Sequence, residues 1–132
     1  MKKSIFTLEE ANQLVPWLED KFHEIESDLE SLRRLENRLI EFRSQSRLNG
    51  HSSLDDGIDK VREGISTANS RMQRTLSEIQ MYGVIVRDIK IGLVDFLSMD
   101  GDQEIFLCWK KGEARVEFWH QTDEGYMSRK PL

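Results

Sequence analysis

From Ala11 to Phe42, apolar residues recur at steps of three and four, a spacing that only an α-helix turns into one continuous stripe. A capping box precedes the stripe, because Thr7 can accept a backbone N–H and Glu10 can reach back to the N–H of Thr7. Pro16 removes one helical hydrogen bond, which predicts a kink with residues 7–15 as an angled first segment. The stripe consists of Ala11, Leu14, Val15, Leu18, Phe22, Ile25, Leu29, Leu32, Leu35, Leu39 and Phe42.

A second helix is predicted after a polar stretch over residues 44–54, in which Asn49-Gly50 is a turn signal. Its start over residues 52–56 carries acidic side chains, which the positive end of a helix dipole favours. Gly83 suits the left-handed residue that ends it. A long antiparallel hairpin with coiled-coil character is therefore expected over residues 1–83. The second stripe consists of Ile58, Val61, Ile65, Ala68, Met72, Leu76 and Ile79.

After Gly83 the apolar period changes from about 3.6 to 2, which predicts β-strands. Two tight glycine-containing turns, at 100–102 and 111–113, separate the later strands. The predicted fold is α+β in a single domain of residues 1–132: the kinked hairpin, a three- to four-stranded antiparallel sheet over 84–132, and an irregular but ordered tail from Thr122 to Leu132. The predicted strands are 84–86, 93–97, 104–109 and 115–120.

The strand over residues 105–109 is apolar on both faces, with Leu107 and Trp109 on one and Phe106 and Cys108 on the other. A sheet with one wet face alternates apolar and polar residues. We therefore expect the helical hairpin to cover one face and the C-terminal tail, a second subunit or a ligand to cover the other.

Composition narrows the function classes. A net charge of −5 disfavours a nucleic-acid-binding protein, which needs a basic face. A single cysteine rules out an intramolecular disulfide and suits a reducing compartment. The start, Met1–Phe6, lacks the apolar core of a signal peptide, and no stretch approaches the roughly 20 apolar residues of a membrane span. We expect a cytoplasmic protein without nucleic-acid or membrane partners.

The candidate functional residues cluster near the C-terminus. His120 and Glu124 could form a general base or a cation-binding pair, although His120 bonded to a loop carbonyl is the simpler interpretation. Cys108 in an apolar strand is expected to be structural. Asp95, Cys108, His120 and Glu124 have the side-chain types of metal ligands, but they show no ligand-spacing motif, and no metal site is predicted.

Two further pairs extend this cluster. Trp109 and Trp119 are either a packed pair or a stacking platform for a flat ligand. Glu113 and Arg129 could form an ion pair that pins the tail, while Arg129 with the following lysine could instead bind an anion. In the first helix, basic side chains alternate with acidic ones and are expected mainly to stabilise it, rather than to bind an anionic surface. They are Arg33, Arg34, Arg38, Arg43 and Arg47.

Several of these segments resemble one bacterial family, domain of unknown function 2203. The resemblance starts with Phe6–Asn12, continues through 83–88 and 92–96, and is most specific at the end, in Leu107-Cys108-Trp109-Lys110 and Phe118-Trp119-His120. The ending also includes Gly112-Glu113, Gly125-Tyr126, Arg129 and Pro131-Leu132. The resemblance implies a complete family member and carries no activity or cofactor with it. It draws attention to Asp95, Cys108, Trp109, Glu113, Trp119, His120 and Arg129.

The leading functional hypothesis is a cytoplasmic, dimeric interaction or regulatory module without catalysis, because the long hairpin comes with no complete catalytic signature. The alternative is a protein that binds a small ligand or a metal, possibly as an enzyme, at a site around Trp109, Trp119, His120 and Glu124.

Overall fold

The computed structural model describes residues 5–49 and 53–132 and confirms the α+β fold class. Two long helices, α1 (Leu8–Asn49) and α2 (Ser53–Met81), pack together and precede a five-stranded antiparallel sheet. The predicted turn at Asn49-Gly50 lies partly outside the described residues. Asn49 itself is still helical, so α1 includes the first part of the polar stretch, residues 44–49.

The beginning of α1 follows the sequence prediction. Glu10 Oε1 accepts the N–H of Thr7 at 2.9 Å, and Thr7 Oγ1 accepts the N–H of Glu10 at 3.1 Å, which completes the capping box. The helix continues through Pro16 without a break. Neither helix contains an apolar stretch long enough to cross a membrane, over the residues described.

The sheet has strands β1 (Ile85–Asp88), β2 (Leu93–Asp100), β3 (Gln103–Lys110), β4 (Phe118–Gln121) and β5 (Lys130–Pro131), in that spatial order. The expected tail is ordered, but its end forms a fifth strand rather than irregular structure. The predicted fourth strand, residues 115–120, began three residues before the observed β4. Residues 115–117 are outside β4, and the N–H of Val116 is donated to the Asn12 side chain at 2.7 Å instead of to a neighbouring strand.

By its contacts the chain divides into two compact units. The first, within residues 24–74, contains α1 from Glu24 onward and α2 up to Arg74. Its two helices are held together by an ion pair between Asp28 and Arg71 at 3.0 Å. Close approach is possible because α2 carries a glycine opposite Leu35: a Cβ on Gly64 would lie 3.1 Å from the Leu35 side chain.

The second unit, residues 5–23 with 75–132, contains the sheet. One sheet face, here called the helix face, packs on the helices; Trp109 lies 6.3 Å from the Phe22 ring, and Phe96 lies 5.2 Å from that of Phe6, between ring centroids. The opposite face, here called the tail face, carries Asp95 and the remaining inward-turned residues of the strands. By strand alternation and register these include Ile85, Leu93, Leu97, Phe106, Cys108, Phe118 and His120.

The C-terminal tail lies on the tail face. The Arg129 guanidinium stands 4.0 Å above the centre of the Phe118 ring and 5.0 Å from that of Tyr126. The sequence analysis left three alternatives for what covers this face: the C-terminal tail, a second subunit or a ligand. The structure places the tail there.

Candidate functional site

Three polar side chains meet in the apolar interior of the tail face. Asp95 and Cys108 are direct partners across β2 and β3, and His120 stands on β4 beside them, so register alone brings the three together. Asp95 is 2%, Cys108 0% and His120 1% exposed. One ligand atom from each lies within 4.8 Å of the other two. This trio is called the buried cluster below.

The buried cluster is joined by short polar contacts. His120 Nε2 lies 3.0 Å from Asp95 Oδ1, and His120 Nδ1 lies 2.9 Å from the carbonyl oxygen of Gln121. Arg87 Nε donates to the second oxygen of Asp95 at 2.8 Å. Arg87 is two residues after Ile85, the partner of Asp95, and lies where the β1–β2 register is irregular, between Val86 and Asp88.

The Cys108 thiol is not set up as a nucleophile. Burial, together with the negative charge of Asp95, raises its pKa from 9.0 to about 12, so it remains protonated at neutral pH. Its hydrogen-bond partner is the Asp95 carboxylate. In a nucleophilic triad the base lies beside the thiol and the carboxylate beyond the base. Here Asp95 stands between the two, which supports the structural interpretation of Cys108.

A cleft of about 400 Å³ opens beside the cluster. Arg87 and Asp95 form its inner wall, and the turn over residues 122–126 forms its outer wall. Glu124 is in that turn and not in the buried cluster. Its carboxylate accepts the N–H of Gln121 at 3.1 Å, and this hydrogen bond lowers its pKa. The spacing of four between His120 and Glu124 thus does not make them a pair.

Glu113 and Arg129 form the ion pair that the sequence suggested. Arg129 Nη2 lies 2.7 Å from each Glu113 carboxylate oxygen, with the Arg129 side chain 10% and the Glu113 side chain 22% exposed. Glu113 Oε1 also accepts the N–H of Lys110, and the Glu113 carbonyl accepts the indole N–H of Trp109 at 3.0 Å. The pair joins the tail to the β3 turn.

The two tryptophans lie on the helix face, opposite the buried cluster, since they are in register with Val94 and Leu107. Trp109 is fully buried, whereas Trp119 is half-buried beneath the Lys130 ammonium, 4.8 Å from its ring centre. The structure therefore does not combine Trp109, Trp119, His120 and Glu124 in one pocket.

A family model described as an uncharacterized conserved protein, DUF2203, matches residues 4–132. The chain belongs to this family. The resemblance found in the sequence motifs is thereby confirmed. The comparisons with curated proteins and with solved structures returned no match.

In this DUF2203 chain, sequence reasoning did not single out two residues that shape the site. Arg87 stands beside another charged residue after an apolar run, so its immediate neighbours in the sequence do not distinguish it. In the structure its guanidinium neutralises Asp95. Tyr126 entered only as part of the family motif. It lines the cleft, and its hydroxyl accepts a hydrogen bond from Lys110 Nζ at 3.2 Å. The available signal for Arg87 was a basic residue shortly before the apolar strand that contains Asp95.

Proposed function

We propose that this DUF2203 chain is a cytoplasmic interaction or regulatory module without catalysis that works as a homodimer through residues 24–74. The observation that carries the proposal is an apolar hairpin surface that two helices leave partly open. This surface, called the open hairpin face below, consists of Leu29, Leu39, Ile40, Ile58 and Ile65. Within the described residues, Ile40 is 62% exposed and the other four side chains are half-buried.

Helix geometry explains why the open hairpin face cannot be closed within the hairpin. At about 100° per residue, Ile40 lies about 140° around α1 from Leu35, the side chain that contacts α2 at Gly64. Ile58 and Ile65 lie roughly 100–120° around α2 from Gly64. Because the helices are antiparallel, both flanks turn to the same side of the hairpin.

A second copy is the partner of matching chemistry. Two hairpins packed through this face would form a four-helix bundle, in which apolar stripes of this width are fully buried. A dimer would complete the burial of ten such side chains, five from each copy. At about 1 kcal/mol each, their burial offsets an association cost of roughly 4–15 kcal/mol. The nearby surface carries both charge signs, as in the exposed Arg33–Glu30 pair, so a copy meets no uniform repulsion.

Sedimentation equilibrium over micromolar concentrations tests this proposal. The wild-type chain should sediment as a dimer, and Ile40→Glu should sediment as a monomer with an unchanged circular dichroism spectrum, because Ile40 is exposed in the single chain.

Gln45→Glu is the matched control. It introduces the same charge in the same helix at another exposed position, about 140° away from Ile40 around the axis, and should leave the dimer intact. A monomeric wild-type chain, or an Ile40→Glu dimer of undiminished strength, would remove the proposal.

A second candidate function, the binding of a small ligand, is favoured by the cleft next to Asp95. It has the size of a small-molecule site, and its walls combine the Arg87 guanidinium with carboxylates. A thermal-shift panel of metabolites and metal ions tests it. A ligand that raises the melting temperature of the wild type but not of Tyr126→Ala supports this function, and a panel without any such ligand contradicts it.

A further inference from the structure

The geometry points to a site for a divalent transition-metal ion of the zinc class at Asp95, Cys108 and His120. This inference is independent of the proposed dimer, since the buried cluster and the open hairpin face belong to different compact units.

The first argument is the pair of contacts that the His120 ring makes. Both ring nitrogens face hydrogen-bond acceptors: Nδ1 faces the Gln121 carbonyl at 2.9 Å, and Nε2 faces an Asp95 carboxylate oxygen at 3.0 Å. A neutral imidazole has one N–H, and a carbonyl oxygen cannot donate. With Nδ1–H donated to Gln121, the Nε2 lone pair faces the Asp95 carboxylate oxygen, so a metal ion bound by both atoms satisfies them together.

The second argument is the ligand set. An imidazole nitrogen, a thiolate and a carboxylate are all zinc ligands, with bonds of roughly 2.0–2.3 Å that place neighbouring ligand atoms about 3.3–3.6 Å apart in a tetrahedron. The atoms of the buried cluster already lie within 4.8 Å of one another, so small side-chain movements suffice. Cys108 binds as the thiolate, and its proton leaves to solvent. The thiolate and the carboxylate then place two negative charges on the ion.

The third argument is the surrounding support. A metal-bound histidine commonly donates its other ring N–H to a backbone carbonyl, which is the position of Gln121. Arg87 holds the second Asp95 oxygen at 2.8 Å and thereby orients the carboxylate. Asp95 also lines the 400 Å³ cleft, so the cluster adjoins a space in which a water molecule can supply the fourth ligand.

Titration of the chelator-treated full chain with Co²⁺, followed by absorption spectroscopy, tests the inference. The expected result is saturation at one ion per chain, with tetrahedral visible bands and a thiolate-to-cobalt charge-transfer band that Zn²⁺ abolishes by displacement. The chain has a single cysteine, so such a band can come only from Cys108.

The variants Cys108→Ser and His120→Gln should weaken Co²⁺ binding at least about tenfold, and Cys108→Ser should also remove the charge-transfer band. Glu104→Gln, which changes an exposed carboxylate of β3 outside both the buried cluster and the cleft, should bind as the wild type does. If a cluster variant fails to fold, the wild-type spectrum still decides. Binding without a charge-transfer band, no saturable binding, or equal loss in Glu104→Gln overturns the inference.

Discussion

Arg129 meets Glu113 with one guanidinium nitrogen 2.7 Å from both carboxylate oxygens, in a contact that is almost closed to solvent. The same guanidinium covers the Phe118 ring, while Glu113 also caps the end of β3 through the N–H of Lys110. The tail, the β3 turn and β4 therefore share one charged contact.

Replacing Glu113 by Gln should destabilise the protein strongly. It leaves the Arg129 charge nearly buried without its partner, a change that costs about 3–5 kcal/mol at fully buried pairs, and somewhat less here because Glu113 keeps some exposure. Urea denaturation measures the loss. The double variant Glu113→Gln/Arg129→Met should be more stable than Glu113→Gln alone. Equal stability of the two would show that the ion pair is not the cause.

Cys108 should resist alkylation in the native protein. Its raised pKa, about 12 against a usual 9.0, together with complete burial, leaves almost no accessible thiolate at pH 8. Iodoacetamide labelling followed by mass spectrometry should show slow modification of the native chain and rapid modification in urea. Comparable rates in both states would contradict this.

The same pKa shift predicts loss of stability in alkaline solution. The folded state keeps the Cys108 proton between pH 9 and about 12, where the unfolded state has released it, so the free energy of unfolding should fall as pH rises through that range. Cys108→Ala is the control, because it lacks the thiol and should show a weaker decline. Identical pH profiles for the two proteins would exclude the thiol as the cause.

Gly92→Ala should destabilise more than Gly101→Ala. Both glycines have positive φ, +69° and +62°, which costs an alanine about 1–2 kcal/mol. A Cβ on Gly92 would in addition lie 2.6 Å from Lys111 Cβ, whereas nothing lies within 4 Å at Gly101. Chemical denaturation of both variants measures the free energy of unfolding, and the difference between them gives the steric cost at Gly92. An equal loss of stability in the two variants would show that the backbone shifts to relieve the contact.

Asn12→Ala should cost about 1–3 kcal/mol, because it leaves the buried N–H of Val116 without an acceptor. Glu19→Ala is the comparison. It removes a similar hydrogen bond from the N–H of Gly112, but that bond is exposed and water can replace it. Amide hydrogen exchange at Val116 should accelerate in Asn12→Ala, and unchanged exchange there would refute the role of Asn12.

Local patterns predicted the architecture well. The capping box at Thr7 and Glu10, both helical stripes and the change of period after Gly83 are set by neighbours in sequence, and the helices and main strands formed where these signals lie. The two-residue strand β5 carried too short a pattern to be recognised. Residues 115–117 alternate like a strand, but Asn12, distant in sequence, takes the N–H of Val116.

The candidate site was predicted residue by residue but not as an arrangement. Strand register decides which side chains meet, and no sequence spacing shows that Asp95 faces Cys108 with His120 beside them. Alternation did place Trp109 and Cys108 on opposite faces. The same rule applied to β4 separates Trp119 from His120, which is why the proposed four-residue pocket divides between the two sides of the sheet.

The hydrogen bond from the N–H of Phe6 to the Leu97 carbonyl has a further consequence. This hydrogen bond uses a backbone carbonyl of β2 beyond the point where the short β1 pairs with that strand. At the opposite margin of the sheet, β5 adds only two residues. Exposed strand margins are templates for aggregation and domain swapping. Because both margins of this sheet are short or partly covered, pairing of strands between copies through backbone hydrogen bonds is disfavoured.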